Sequence, residues 1–89
     1  MLNTNSELYH YLLALSSTCR ALGLTNSADR AEQAARFITG SPSEFLHEAQ
    51  QALLAIVSES DARLGDEERA RLLLAVKEIE HAFKQVGGA

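Results

Sequence analysis

The sequence predicts an all-α protein, a single domain over residues 1–89 that folds as a four-helix antiparallel up-down-up-down bundle. Apolar residues recur every three or four positions in four segments, which is the spacing of a buried helix face. Helix start and stop residues separate the segments, and no strand-like alternation competes with them. The connections are short, which favours antiparallel neighbours. We expect helices at about 5–22, 27–39, 42–62 and 66–86, the second being the shortest.

The first helix follows a capping box, Thr4-x-x-Glu7, whose side chains satisfy amides left free at a helix start. Gly23 supplies the left-handed residue that commonly follows a helix end. Thr25 or Ser27 is expected to begin the second helix. The predicted apolar stripes are Leu8, Tyr11, Leu12, Leu15, Cys19 and Leu22 in the first helix, and Ala28, Ala31, Ala34, Ala35 and Ile38 in the second.

The third helix follows Gly40 and has the clearest start signal, Ser41-Pro42-Ser43-Glu44. This is a capping Ser, a Pro at the first helical position and a Glu two residues later. The fourth helix follows Gly65, with Asp66 as its cap, and ends at Gly87-Gly88. The predicted stripes are Phe45, Leu46, Ala49, Leu53, Ile56 and Val57 in the third helix, and Leu72, Leu73, Val76, Ile79, Phe83 and Val86 in the fourth.

Charged residues on these helices are spaced as on solvated helix faces. Acids precede bases by four residues, the order that favours an ion pair on one helix. The pairs are Glu32/Arg36, Glu59/Arg63, Glu67/Arg71 and Glu80/Lys84.

Composition argues against several classes of protein. The net charge is −4, from twelve acidic and eight basic residues, so the phosphates of nucleic acid and anionic membranes would repel the chain. Cys19 is the single cysteine, so no intrachain disulfide is possible and a reducing compartment is the simplest assumption. The N-terminus lacks signal-peptide features, and no apolar stretch approaches the ~20 residues that span a bilayer. We expect a cytoplasmic protein that binds neither nucleic acid nor membrane.

A Glu-x-x-His pattern on three helices resembles the metal site of ferritin-like di-iron bundles, which take this spacing from two helices. In the predicted bundle the three histidines would lie at the same end. Each histidine, however, falls roughly 150–160° from the centre of its helix's apolar stripe. We therefore expect no metal or cofactor within one subunit, and a site between subunits stays open. The pairs are Glu7/His10, Glu44/His47 and Glu78/His81.

The segment His81-Ala82-Phe83-Lys84 resembles the His-x-x-Lys motif of histidine phosphotransfer domains, which are also helical bundles. That resemblance implies an exposed imidazole with a cation beside it. Gln85 stands where the motif has Gly, and His81 lies near a helix end. Cys19 lies on an apolar stripe, and the sequence has no nucleophile elbow or glycine-rich phosphate loop. We expect no enzyme, and a metal-binding or phosphotransfer bundle is the alternative.

Outward leucines provide the functional hypothesis. Leu13, Leu54 and Leu74 each lie roughly 130–180° from the centre of their helix's stripe, and Tyr9 would extend the patch around Leu13 with an aromatic suited to interfaces. We expect some of these four residues to contact a second subunit across a two-fold axis, giving a homodimer, with another protein as alternative partner. Isolated exposed leucines are the simpler interpretation. The predicted function is a non-enzymatic interaction module: an adaptor, a regulator or a chaperone-like subunit. Three segments would be apolar on every side of their helices, which suggests a second buried face and hence a partner. They are Tyr11–Leu15, Ala52–Val57 and Leu72–Val76.

Overall fold

The computed structural model describes the backbone of residues 5–86 and the side chains of residues 5–59 and 63–82. Within this part, the chain forms four α-helices and no β-strand, so the prediction of an all-α protein with four helices is confirmed. A turn of 3₁₀ helix follows the second α-helix (Arg36–Thr39) and another follows the third (Asp61–Leu64). The α-helices are α1 (Asn5–Ala21), α2 (Thr25–Ala35), α3 (Pro42–Ser60) and α4 (Asp66–Val86).

The α1–α2 connection is a tight turn made by backbone geometry. Gly23 has φ +80°, the left-handed conformation that the sequence predicted. The amides of Gly23 and Leu24 donate to carbonyls in the last turn of α1. Of the two predicted starts of α2, Thr25 is the observed one, and the N-cap position before it is Leu24, where no side chain bonds. The buried hydroxyl of Ser27 donates to Glu59 instead.

The α2–α3 connection differs from the prediction at one end. The α-helix stops before residue 39, since Arg36–Thr39 tighten into 3₁₀ geometry, and Gly40 then adopts an extended conformation with φ −93°. The start of α3 is as predicted. Pro42 is its first residue, and the Ser41 hydroxyl accepts a hydrogen bond of 3.1 Å from the amide of Glu44.

The α3–α4 connection turns at Gly65, which has φ +81°. The Arg69 amide donates to the Gly65 carbonyl, and α4 begins at Asp66. Gly65 thus takes the cap position that the sequence assigned to Asp66. The α-helix α3 ends at Ser60, two residues before the predicted limit, because 3₁₀ geometry takes over there. Predicted features that lie outside the described residues are the Thr4 cap, the Gly87-Gly88 end and the side chains of Phe83, Lys84 and Val86.

The core is built from one face of each helix. In α4 this face is narrower than predicted, so the predicted core residue Leu73 is 45% exposed, and Leu22, in the turn after α1, is 41% exposed. The four buried alanines of α2 end at Cβ, so neighbouring helices can approach closely. The largest fully buried apolar side chains are Leu12, Leu15, Phe45, Leu53, Ile56 and Leu72.

Consecutive helices are neighbours: α1 packs on α2, α2 on α3 and α3 on α4. Polar contacts join them at their edges. The Arg30 guanidinium lies 2.7 Å from the Glu59 carboxylate, and the Arg63 guanidinium donates to the Leu22 carbonyl over 3.0 Å. None of the described helices has the combination of length and apolar character that a bilayer crossing requires. The chain measures 36 × 23 × 19 Å along its principal axes.

Candidate interaction surface

A groove of about 460 Å³ runs between α1 and the second helix with its 3₁₀ extension. We call it the α1–α2 groove. It brings together two of the four predicted interface residues, Tyr9 and Leu13, which are neighbours on α1. Its lining is Tyr9, Leu13, Glu32, Ala35, Arg36, Ile38 and Thr39.

Small residues and helix geometry explain why the groove is open. Ala35 is buried but ends at Cβ, so it leaves space beside α1. Directly after it the chain tightens into the 3₁₀ turn, which carries Ile38 into the lining. Leu13 is 39% exposed on the opposite wall. Tyr9 is half-buried, with its ring edge-on to His10 at a centroid distance of 5.4 Å.

The charges around this groove are unevenly paired. The Arg20 guanidinium, in the last turn of α1, lies 3.0 Å from the Glu32 carboxylate and 3.5 Å from that of Asp29. Glu32 therefore pairs across helices with Arg20 instead of along α2 with Arg36, the partner that its spacing suggested. Arg36 is exposed and makes no ion pair with any side chain that the structure describes. Two carboxylates share one guanidinium at one end, and the Arg36 guanidinium, unpaired among the described side chains, stands at the other.

The two other predicted interface residues lie elsewhere. Leu54 on α3 is 46% exposed and Leu74 on α4 is 40% exposed, and neither lines the α1–α2 groove. Leu73 is also exposed on α4, although its spacing had placed it in the core. Helical spacing could have placed Leu73 outside the core. It lies 100° around the helix from Leu72, which is the most completely buried residue of α4.

A second groove, of about 370 Å³, lies between α2 and α3. Its lining is more polar than that of the first, and Arg30 within it is already paired with Glu59. The bond from Arg30 lowers the pKa of the Glu59 carboxyl below its ordinary value. The lining residues are Arg30, Gln33, Ala34, Phe37, Glu48, Gln51, Ala52 and Ala55.

The histidines of the Glu-x-x-His pattern are all exposed. Nδ1 of His10 lies 2.9 Å from the Ser6 carbonyl oxygen. Among the residues described, no three His, Cys, Asp or Glu side chains come close enough together to hold a metal ion.

Cys19 lies on the core-facing side of α1 and is fully buried. Burial raises the pKa of its thiol, and the Glu68 carboxylate raises it further, so the neutral thiol is favoured. Since the thiolate is the nucleophilic form, Cys19 acts here as a small core residue.

No protein-family model, curated protein or solved structure is significantly similar to this chain. The chemistry of the α1–α2 groove is therefore the basis for interpreting it. The groove offers an aromatic ring, aliphatic side chains, a guanidinium and a carboxylate, and its lining includes no imidazole or thiol. Such a lining can bind an apolar side chain and form ion pairs at its rim.

Proposed function

We propose that this chain is a self-associating, non-enzymatic protein-interaction module of the cytoplasm. Its role would be that of an adaptor, a regulator or a chaperone-like subunit. The observation that carries the proposal is the set of large aliphatic side chains left outside the core. Leu13, Leu54 and Leu74 are each about two-fifths exposed or more. Single exposed leucines are ordinary, but a shared groove containing Tyr9 and Leu13 is a shaped apolar surface.

The proposed arrangement of the helices is the antiparallel up-down-up-down bundle. Two contacts support it. Arg63, just after α3, bonds the carbonyl of Leu22, just after α1, which sets the ends of α1 and α3 near each other. Arg30, at the middle of α2, bonds Glu59 near the end of α3. Both contacts fit helices that alternate in direction.

Self-association would also help a small chain to stay folded. A chain of this length buries only about 60–65% of the surface that its unfolded form exposes. Apolar area removed from water stabilises by roughly 25 cal/mol per Å². A second subunit covering the exposed leucines would add to this stabilisation, and the gain grows with the logarithm of the protein concentration. The acidic balance of the chain argues against nucleic acid and anionic membrane as partners.

The test is the mass of the particle in solution, by size-exclusion chromatography with light scattering at micromolar concentration. We expect twice the 9.7 kDa of the chain. The substitutions Leu13→Glu, Leu54→Glu and Leu74→Glu identify the face involved, and Ser58→Glu, at an exposed polar position, is the control for added charge. A clean monomer that also captures no protein from the native cell would contradict the proposal.

The alternative function is a metal-binding or histidine-phosphotransfer bundle, supported by the exposure of His10, His47 and His81. Metal analysis of the purified protein separates it from the proposal, with a His10/His47/His81→Ala set as the matched variant. Stoichiometric metal that is lost in that set, or acid-labile phosphate on His81, would replace the interaction module as the favoured function.

A further inference from the structure

We propose that the α1–α2 groove is the self-association surface and that a second copy of this chain covers it. The two copies would be related by a two-fold axis that lies in the interface, runs perpendicular to the helices and passes near Leu13. This inference rests on the proposed function and names the surface and the partner for it.

The order of charges along α2 is the first argument. Asp29 and Glu32 share Arg20, which leaves one negative charge in excess at that end of the groove. Arg36, the first residue of the 3₁₀ turn that continues α2, stands about 6 Å further along, without an ion pair among the described side chains. A two-fold axis that reverses α2 places Arg36 opposite the partner's Glu32, and it does so twice. The surface is therefore complementary in charge to itself, as an isologous interface requires.

The position of Leu13 is the second argument, and it selects the same axis. Leu13 lies ten residues before Gly23, and Gln33 lies ten residues after it, so both are equally far from the turn between α1 and α2. Leu13, Glu32 and Arg36 also line one groove. An axis midway between Glu32 and Arg36 therefore passes close to Leu13 and sets it against the partner's Leu13.

The apolar part of this contact would contain Leu13, which the monomer leaves outside its core, and the exposed part of Tyr9. Leu13 is 39% exposed, and Tyr9 lies one helical turn away on the same wall. A stable dimer of ordinary kind buries more than ~1,000 Å² in total, so about 500 Å² from each copy. The chain has a surface of 5253 Å², so a face formed by two of its four described helices is large enough. Leu54, Leu73 and Leu74 line neither described groove. No groove or charge pattern therefore indicates how two copies would align at those residues.

Charge reversal with rescue tests the register. Arg36→Glu sets like charges opposite each other at two symmetry-related points, and so does Glu32→Arg. We expect each variant to weaken the dimer about ten-fold or more in Kd, by sedimentation velocity at low salt. The Arg36→Glu/Glu32→Arg double variant restores opposite charges at both points and should recover the dimer. An equimolar mixture of the two single variants should form heterodimers in preference to either homodimer.

Variants of the apolar side chains test the surface independently of charge. Leu13→Glu should give a monomer, whereas Leu54→Glu and Leu74→Glu should leave the dimer intact. Circular dichroism shows whether each variant keeps its helical content. A dimer that survives both Arg36→Glu and Leu13→Glu, or no recovery in the double variant and the mixture, overturns this inference. Self-association would still stand in those cases. A wild-type protein that is monomeric at about 100 µM overturns this inference, and one that also captures no partner overturns both proposals.

Discussion

The phenol of Tyr11 donates a hydrogen bond to the carboxylate of Glu68 over 3.2 Å, which joins the middle of α1 to the first turn of α4. Arg71 approaches the same carboxylate at 3.5 Å. Burial raises the pKa of the Tyr11 phenol far above its ordinary value, and the charge of Glu68 raises it further. The neutral phenol is thus the form that suits the folded protein.

Replacing Tyr11 by Phe should lower the free energy of unfolding by about 1–2 kcal/mol, because the Glu68 carboxylate loses a partly buried donor. Urea denaturation measures this change. The matched control is Tyr9→Phe, since no hydrogen bond involves the Tyr9 hydroxyl among the described residues, and it should cost less than about 0.5 kcal/mol. Equal losses in the two variants would mean that the Tyr11 bond contributes nothing.

The same residue makes the wild type sensitive to alkaline pH. A group whose folded pKa is raised contributes its full stabilisation below the unfolded pKa, near 10 for Tyr, and loses it as pH rises above that value. We expect wild-type stability to fall more steeply than that of Tyr11→Phe between about pH 9.5 and 11. Parallel curves in this range would contradict the assignment.

Replacing Ser41 by Ala should destabilise the protein by about 1 kcal/mol, because the Glu44 amide loses its acceptor at the start of α3. Thermal unfolding followed at 222 nm is the measurement. Ser43→Ala is the control, since Ser43 is exposed within the first turn of α3 and no hydrogen bond of its hydroxyl is described. A larger effect at Ser43 would show that helix propensity, and not the cap, controls this turn.

Adjacent leucines on α3 should respond differently to truncation. Leu53 is fully buried, whereas Leu54 is 46% exposed. Leu53→Ala should cost about 2–5 kcal/mol through the cavity that it leaves. Leu54→Ala should cost less than about 1 kcal/mol. Chemical denaturation of both variants at one protein concentration measures the difference, and similar losses would show that α3 is rotated from the orientation described.

The bond between Arg30 and Glu59 should make part of the stability depend on acidic pH. A carboxyl with a depressed folded pKa contributes above its unfolded pKa, near 4.3 for Glu, and loses this contribution as pH falls through the folded value. Glu59→Gln should therefore lose less stability than wild type between about pH 5 and 3. The pair is largely exposed and screened by solvent, so the difference should be small. Arg30→Gln is the reciprocal variant and should behave alike; unchanged slopes in both variants would contradict the prediction.

Local signals in the sequence determined the helices and most of the core. The stripe from Leu8 to Cys19 and the cap at Ser41 depend on residues within one or two turns of each other, and backbone geometry makes such spacings readable. The turns at Gly23 and Gly65 were readable for the same reason, since a positive φ there favours glycine. The sequence left the start of α2 between Thr25 and Ser27, and packing decided it: the helix begins at Thr25, and the Ser27 hydroxyl donates to Glu59, which is distant in sequence.

Tertiary structure alone decided which surfaces exist. Helical spacing grouped Tyr9, Leu13, Leu54 and Leu74 only by their distance from the core, whereas packing puts the first two in one groove and the others outside it. Packing also places the Glu32 carboxylate beside the Arg20 guanidinium, which leaves Arg36 without an ion pair among the residues described. A helical wheel gives the angle of a residue about one axis, but the partner of a side chain depends on how two axes are placed, and that follows from the volumes packed between them.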